Sequence, residues 1–454
     1  MRDLINGDHQ SILQTSDSPA LAKKGFADER SFGLTEGVPV ATMPINIRLV
    51  LPETCVKISD VCAKETGSMR ITQVKSWLVE GIKYNWVLLK VYTDAGITGI
   101  GEGTNWPGSP MVLEACRHAG ETVVGEDPTR IDYLWTKLYR DFNWLGQAGP
   151  VLSAISAIDT ALWDIAGKRS GLPVYQLLGG AYRKQIKLYA NYWFLGGTGT
   201  PEDYAEQAVK MKHKGFSACK LDPFAHTNYW YGEHQADNLG LTEPQKKIAI
   251  DRLVAVQDAV GRDFPIAVET HAMLNGPTAV EMAQRIAAAG INCMWYEEPA
   301  GPEFPDEIAA IRRKIFLPVC VGERLHSRFM VRPILEKHAA DILMPDVTRC
   351  GGIGEMKKIA TMCEAFNIPI APHNPNGPVS TIAAAHVMAS VPNFFLQEYM
   401  VTDVPWRDEV LDKPLPVHNG VFELSDEPGL GFDLVERELE KHPGVTQRRA
   451  GFYV

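Results

Sequence analysis

The feature that most constrains this chain is a relay of short apolar runs, each delivering a charged residue, along the C-terminal half. Ile266-Ala267-Val268 leads into Glu269-Thr270-His271, and Cys293-Met294-Trp295-Tyr296 into Glu297-Glu298-Pro299. Val319-Cys320-Val321-Gly322 leads into Glu323-Arg324, and Asp341-Ile342-Leu343-Met344-Pro345 into Asp346. Ile368-Pro369-Ile370-Ala371-Pro372 leads into His373, and Phe394-Phe395-Leu396-Gln397 into Glu398. Recurrence at roughly 25 residues is the length of a strand, a loop and a helix. In a parallel α/β barrel the C-terminal strand ends open into one mouth. The relay therefore predicts one metal site with acid and base groups around it.

The pattern assigns eight parallel strands, at 187–193, 217–222, 265–270, 293–298, 318–323, 341–346, 368–373 and 393–398. Amphipathic helices such as Ala279 to Ala289 and Met356 to Phe366 lie between them. The fold class is α/β, a modified TIM barrel of the (β/α)7β kind spanning 185–400, with an α+β capping domain before it. That capping domain covers 69–184. Strands are expected at Ile71 to Val79 and Trp86 to Tyr92, with Ile97 to Gly101 as hairpin partner, and a helix from Ser153 to Lys168. Residues 1–68 are polar and aperiodic, and are expected to form a loose extension, with Met69 as an alternative start. Residues 401–454 are expected to pack back on the capping domain. The gap between strands two and three holds His226-Thr227-Asn228-Tyr229-Trp230-Tyr231-Gly232-Glu233, which reads as a lid or substrate loop.

Composition narrows the partners. A net charge of −10 argues against nucleic acid or an anionic membrane. No apolar run approaches the ~18 residues of a membrane span. The eight cysteines show no CxxC spacing, and Cys219, Cys293 and Cys320 sit in strand-like runs, so reduced thiols and a cytoplasmic setting are expected.

Glu269, Glu297 and Glu323 offer an all-oxygen set that suits a hard divalent cation, Mg²⁺ before Mn²⁺. Any one of them alone reads equally well as a solvated loop carboxylate; three in register at successive strand ends do not. Asp346 ends the strand next to that of His373, where a carboxylate fixes the imidazole tautomer and raises its basicity. His271 lies two residues beyond Glu269, so on an extended chain both point to one side, which brings a second histidine to the metal. Lys220 and Asp222 share that spacing at the end of strand two. Glu398 is placed to hydrogen-bond an oxygen that gains charge, if it is protonated or bridged by a donor. Lys220, Asp222, Asn191 and Trp193 are candidate substrate contacts, as are Trp106, Trp144 and Tyr229 to Tyr231. Each aromatic among these also reads as packing.

With these residues in hand, the chain resembles the enolase superfamily, in its mandelate racemase-like branch, and within it the galactonate- and gluconate-type acid-sugar dehydratases. The resemblance runs from Met69 to the C-terminus. It rests on Glu297-Glu298-Pro299, Gly322-Glu323-Arg324, Pro345-Asp346 with Gly351-Gly352, and Ala371-Pro372-His373 with Gly377-Pro378. It implies that Glu269, Glu297 and Glu323 hold Mg²⁺, that His373 and Asp346 form a catalytic dyad, that Glu398 is the carboxylate of strand eight, and that His271 is a general acid. Two positions depart from the family. The first ligand is usually Asp, and Lys-x-Lys after strand two is replaced by Lys220-Leu221-Asp222.

The expected reaction is Mg²⁺-dependent dehydration of an aldonate to a 2-keto-3-deoxy acid, by C2 proton abstraction and loss of the C3 hydroxyl. A small-molecule sugar acid and a homo-oligomer are the expected partners. A racemase or epimerase needs a base on each face of the α-carbon; the usual second lysine is missing, and His271 is the group that could take its place. A cycloisomerase needs the metal but no histidine acid. A non-catalytic scaffold protein would be expected to have lost a ligand or the base, and here every position is filled.

Overall fold

The computed structural model describes residues 69–81, 85–194, 197–225 and 240–445. The 1–68 extension and the His226 to Glu233 run lie outside the described residues.

Three strands open the fold: β1 (Ile71–Val79), β2 (Trp86–Thr93) and β3 (Thr98–Glu102), an antiparallel sheet in the order β1-β2-β3. Helices Ser109–Val123, Ile131–Asp141 and Pro150–Ser170 follow. The last is longer than its apolar stripe predicts, because Pro150 starts it at N1 and Gly171, in the left-handed region, stops it. It is buried nearly all round, between β3 on one side and helix Gly352–Ala365 on another. The approach to β3 is close enough that a Cβ on Gly101 would stand 1.9 Å from the Ala157 carbonyl. Only glycine lets sheet and helix meet there.

Parallel strands β4 (Gln185–Asn191), β5 (Cys219–Leu221), β6 (Ile266–Glu269), β7 (Cys293–Glu297), β8 (Val319–Val321) and β9 (Ile342–Leu343) then pair in sequence. The expected seventh strand is not a regular ladder. It joins by single parallel bridges, Leu343 to Ile370 and Ile370 to Phe394. Pro369 and Pro372 explain this, since neither has an N–H to give to a neighbour. The eighth segment continues into β10 (Gln397–Met400), which pairs in parallel with β4, so the run of neighbours returns to its start.

One buried cluster draws a residue from every one of these segments: Tyr189, Ala218, Ala267, Trp295, Cys320, Ile342 with Met344, Ala371 and Leu396. Tyr189 and Trp295 meet edge to face, with ring centroids 5.2 Å apart. They fill the middle, as barrel interiors require, and leave the C-terminal strand ends as the open face. A larger apolar layer lies between strands and surrounding helices.

After β10 the chain forms β11 (Val417–His418) and β12 (Val421–Glu423), and β12 pairs antiparallel with β4. The segment also touches the first sheet. Lys90 meets Asp433 at 2.8 Å, Lys75 meets Glu436 at 3.0 Å, and the Gly444 amide donates to the Leu78 carbonyl. Among the described residues, no helix is long and apolar enough to cross a membrane.

Candidate active site

Glu269 ends β6 and Glu297 ends β7, and the two are register partners. Glu323 follows β8 after the Gly322 turn. All three are buried, and one carboxylate oxygen from each lies within 4.8 Å of the others. Trp295, in the barrel interior, donates its Nε1–H to Glu297 Oε2 at 2.7 Å and forms the floor of this cluster.

Lys220, on β5, points into the same cluster. Its Nζ lies 2.6 Å from Glu297, 3.1 Å from Glu398 and 3.3 Å from Glu269. Burial would discharge the ammonium, but Glu297 and Glu398 lead the charges that hold its pKa well above the usual lysine value. It is therefore a fixed cation. Burial and the adjacent Glu269 push the Glu297 carboxyl well above the carboxylate range. Burial also works against ionised Glu269, yet His271 and Lys220 hold it down at about 2. Ionised together, as metal ligands must be, the three carboxylates against one ammonium would leave two negative charges in excess. A divalent cation with oxygen preference fits that donor set.

The dyad is assembled across the bridge between Asp346 and His373. His373 Nδ1 is 2.8 Å from Asp346 Oδ2, and His373 Nε2 is 2.9 Å from Glu323 Oε2. Burial lowers the imidazole pKa, and Glu323, Glu398 and Asp346 outweigh it and carry it up to about 9. Asp346 is itself held: the Thr348 amide donates to Oδ1 at 2.8 Å and Asn376 Nδ2 to Oδ2 at 2.9 Å. A carboxylate fixed from behind fixes the ring in front of it.

His271 reaches the site by another route than the expected strand alternation. β6 ends at Glu269, and His271 and Ala272 both take positive φ, 47° and 54°. The left-handed turn lets the His271 amide donate to Glu269 Oε1 at 2.6 Å while its ring faces Asp222, with Nδ1 3.2 Å from Oδ2. Burial opposes protonation of His271, and Glu269 and Asp222 overcome it, raising the pKa. Asp222 is fixed in turn by the amides of Phe224 and Ala225.

Glu398, on β10, accepts from the Asn191 side-chain amide and, at Oε2, from the Asn374 amide at 2.7 Å. Lys220 is the donor beside it. Asn191 is thus a support of Glu398.

A cavity of about 640 Å³ opens over these groups. His271, Glu323 and His373 line it from the barrel, and Asn105, Trp106 and Gly149 from the other side. Trp106 is therefore where a substrate contact was expected. Trp193 is not: its indole N–H donates to the Lys220 carbonyl and its ring packs edge-on against Phe194 and Tyr204 in the core. Trp144 also misses the cavity, with 93% of its surface exposed. Tyr229 to Tyr231 lie outside the described residues.

Sequence reasoning missed Tyr192, His326 and Arg349, which line the cavity. Burial and the Arg349 charge bring the His326 imidazole down to about 4, so it faces the cavity neutral. The available signal was spacing: His326 comes three residues after Glu323, and Arg349 three after Asp346.

Comparisons with known proteins agree with this architecture. Residues 203–438 match the family described as Enolase C-terminal domain-like, and 78–179 the Mandelate racemase / muconate lactonizing enzyme, N-terminal domain. The chain is 33% identical to the D-xylonate dehydratase of Haloferax volcanii, over 82% of its own length and 88% of that protein. It is 32% identical to the D-galactonate dehydratase of Variovorax paradoxus, over 82% of its own length and 94% of that protein. A crystal structure of a mandelate racemase/muconate lactonizing enzyme-like protein from Rubrobacter xylanophilus matches with a TM-score of 0.75 at 33% identity, covering 85% of this chain and 100% of that one. The enolase superfamily binds a metal ion, and Glu269, Glu297 and Glu323 form a set able to hold one. With both family domains matched in order on one chain, this protein belongs to the mandelate racemase/muconate lactonizing enzyme family of the enolase superfamily.

Proposed function

We propose that this chain is a Mg²⁺-dependent dehydratase of a sugar acid, converting an aldonate to its 2-keto-3-deoxy acid. The observation that carries the reading is that two of the imidazoles lining the cavity, His373 and His271, each have their own carboxylate, Asp346 and Asp222. Dehydration needs such a pair, one group to take a proton and one to give it.

Glu269, Glu297 and Glu323 would hold the cation, which supplies the positive charge that offsets the second negative charge of an ene-diolate. With Glu323 engaged by the cation, the charge that most raises the His373 pKa would be neutralised. The neutral imidazole takes the C2 proton through Nε2, while Asp346 holds Nδ1–H and stabilises the imidazolium. Lys220, fixed among Glu269, Glu297 and Glu398, adds a permanent positive charge at the same end. His271 delivers a proton to the departing C3 hydroxyl, which is otherwise a poor leaving group. The enol then tautomerises to the ketone. Position 222 weighs against a racemase, since it holds Asp222 where the second lysine of a Lys-x-Lys pair would stand.

The relatives named D-xylonate and D-galactonate dehydratase support an aldonate of five or six carbons. The test is a panel of C5 and C6 aldonates and aldarates with Mg²⁺ in D₂O. The reading expects a 2-keto-3-deoxy product from at least one aldonate and deuterium at C2 in the recovered substrate. A panel giving C2 inversion without loss of water would overturn it.

A further inference from the structure

Helix Pro378–Ala389 begins on Gly377, which has no side chain to cap its first amides. The cap comes from the first sheet. Glu102, the last residue of β3, accepts the Gly377 N–H at 2.6 Å on Oε1 and the Ser380 N–H at 2.8 Å on Oε2. The Thr104 hydroxyl donates to Oε1 at 2.6 Å. An anion at a helix N-terminus is well placed.

Gly377 confirms how tightly this contact is made. Its φ of −74° suits any residue, so the backbone does not demand glycine. A Cβ there would stand 2.8 Å and 2.9 Å from the two Glu102 oxygens. The carboxylate, pinned by three donors, requires the glycine.

The turn so fastened, His373 to Gly377, carries the imidazole of the dyad and side chains that hold its partners. Asn374 gives its amide to Glu398, and Asn376 gives Nδ2 to Asp346. A second bond from the same strand end reaches Asp346 from behind: the Thr104 carbonyl accepts the Thr348 hydroxyl at 2.8 Å, and the Thr348 amide donates to Asp346. Apolar packing would cement the two sheets at lower cost. Burial instead pushes the Glu102 carboxyl up to about 7, against Thr104, Ser380, Gly377 and Arg407.

We infer that Glu102 is a positioning residue for the reaction: from the capping sheet it fixes the turn after His373, and with it the alignment of His373 on Asp346. The inference rests on His373 being the base.

The experiment compares Glu102→Ala, Glu102→Gln and Gly377→Ala with wild type. Hydrogen exchange of residues 373–381, without substrate, reads the turn directly. Turnover of the C5 and C6 aldonate panel with Mg²⁺ reads the chemistry. Glu102→Ala should raise exchange in that segment and lower kcat at least about tenfold, with KM and Mg²⁺ affinity within about threefold. Glu102→Gln keeps one acceptor and should fall between. Gly377→Ala disturbs the contact from the barrel side and carries the test if Glu102→Ala does not fold. The double variant should be no worse than the worse single one, since both remove one contact. Wild-type exchange in 373–381, exchange raised equally through β1 to β3, or unchanged kcat would each overturn the inference. His373→Asn separates the two readings. If it still exchanges the C2 proton, the base assignment is wrong; if it is inert while Glu102→Ala is as active as wild type, only the positioning role fails.

Discussion

Asp346 and His373 sit opposite one another across a single parallel bridge, with 2.8 Å between Oδ2 and Nδ1. His373 is the proposed base and Asp346 only its support, so their substitutions should differ in kind. His373→Asn should lower kcat by roughly 10³-fold and stop C2 proton exchange, as loss of a general base does. Asp346→Asn should cost about 10–100-fold, as loss of an orienting partner does. Steady-state rates and exchange in D₂O measure both, and equal, mild losses would remove the dyad from the mechanism.

His271→Asn separates proton removal from loss of water. With the carboxylate cluster and His373 intact, C2 exchange should survive while product formation falls roughly 10²–10⁴-fold. His271 donates its backbone amide to Glu269, so Mg²⁺ affinity is measured first in the variant. Dehydration at the wild-type rate with Mg²⁺ bound would exclude His271 as the acid.

Chelation should abolish activity, and added Mg²⁺ should restore it, because without the cation the second negative charge of the ene-diolate is not offset. Glu297→Gln should weaken Mg²⁺ binding by calorimetry at pH 7.5. Full turnover by metal-stripped protein would sink the assignment of the three glutamates.

His386 provides a stability test remote from the chemistry. It is buried, accepts the Tyr175 amide at Nδ1, and burial holds its pKa down at about 4. The unfolded chain takes up this proton near pH 6.5 and the folded chain only near 4. Its contribution to stability is therefore intact above pH 6.5 and is lost as pH falls from 6.5 towards 4, up to about 3 kcal/mol in all. Denaturant unfolding of wild type and His386→Gln at pH 7.5 and 5 checks this. The variant should be the less sensitive to acid, and parallel losses would refute it.

How much was legible in the sequence follows from how each residue reaches the site. Glu269, Glu297, Asp346 and His373 end apolar runs, and there the strand period itself aims the side chain. The period stops working one residue further on. Tyr192 has a positive φ of 59°, so alternation no longer governs Trp193, and a residue expected at the mouth turns into the core. His271 also follows a break in the strand, yet its left-handed turn brings it to the cavity. Lys220 was read as a substrate contact because nothing in the spacing shows that three carboxylates converge on one ammonium. Glu102 was invisible for a simpler reason: its partners lie 275 and 278 residues away.

The two prolines of the seventh segment have one more effect. Between the two prolines stand Ile370 and Ala371, and their amides go to opposite neighbours, Asn393 and Leu343. A slip of one position in either direction would set a proline where a donor is required and leave a buried carbonyl unanswered. The segment thus fits its slot at a single height. Pro369 and Pro372 act as a ratchet against sliding, and they hold the segment at the height where the His373 imidazole meets Asp346 and Glu323.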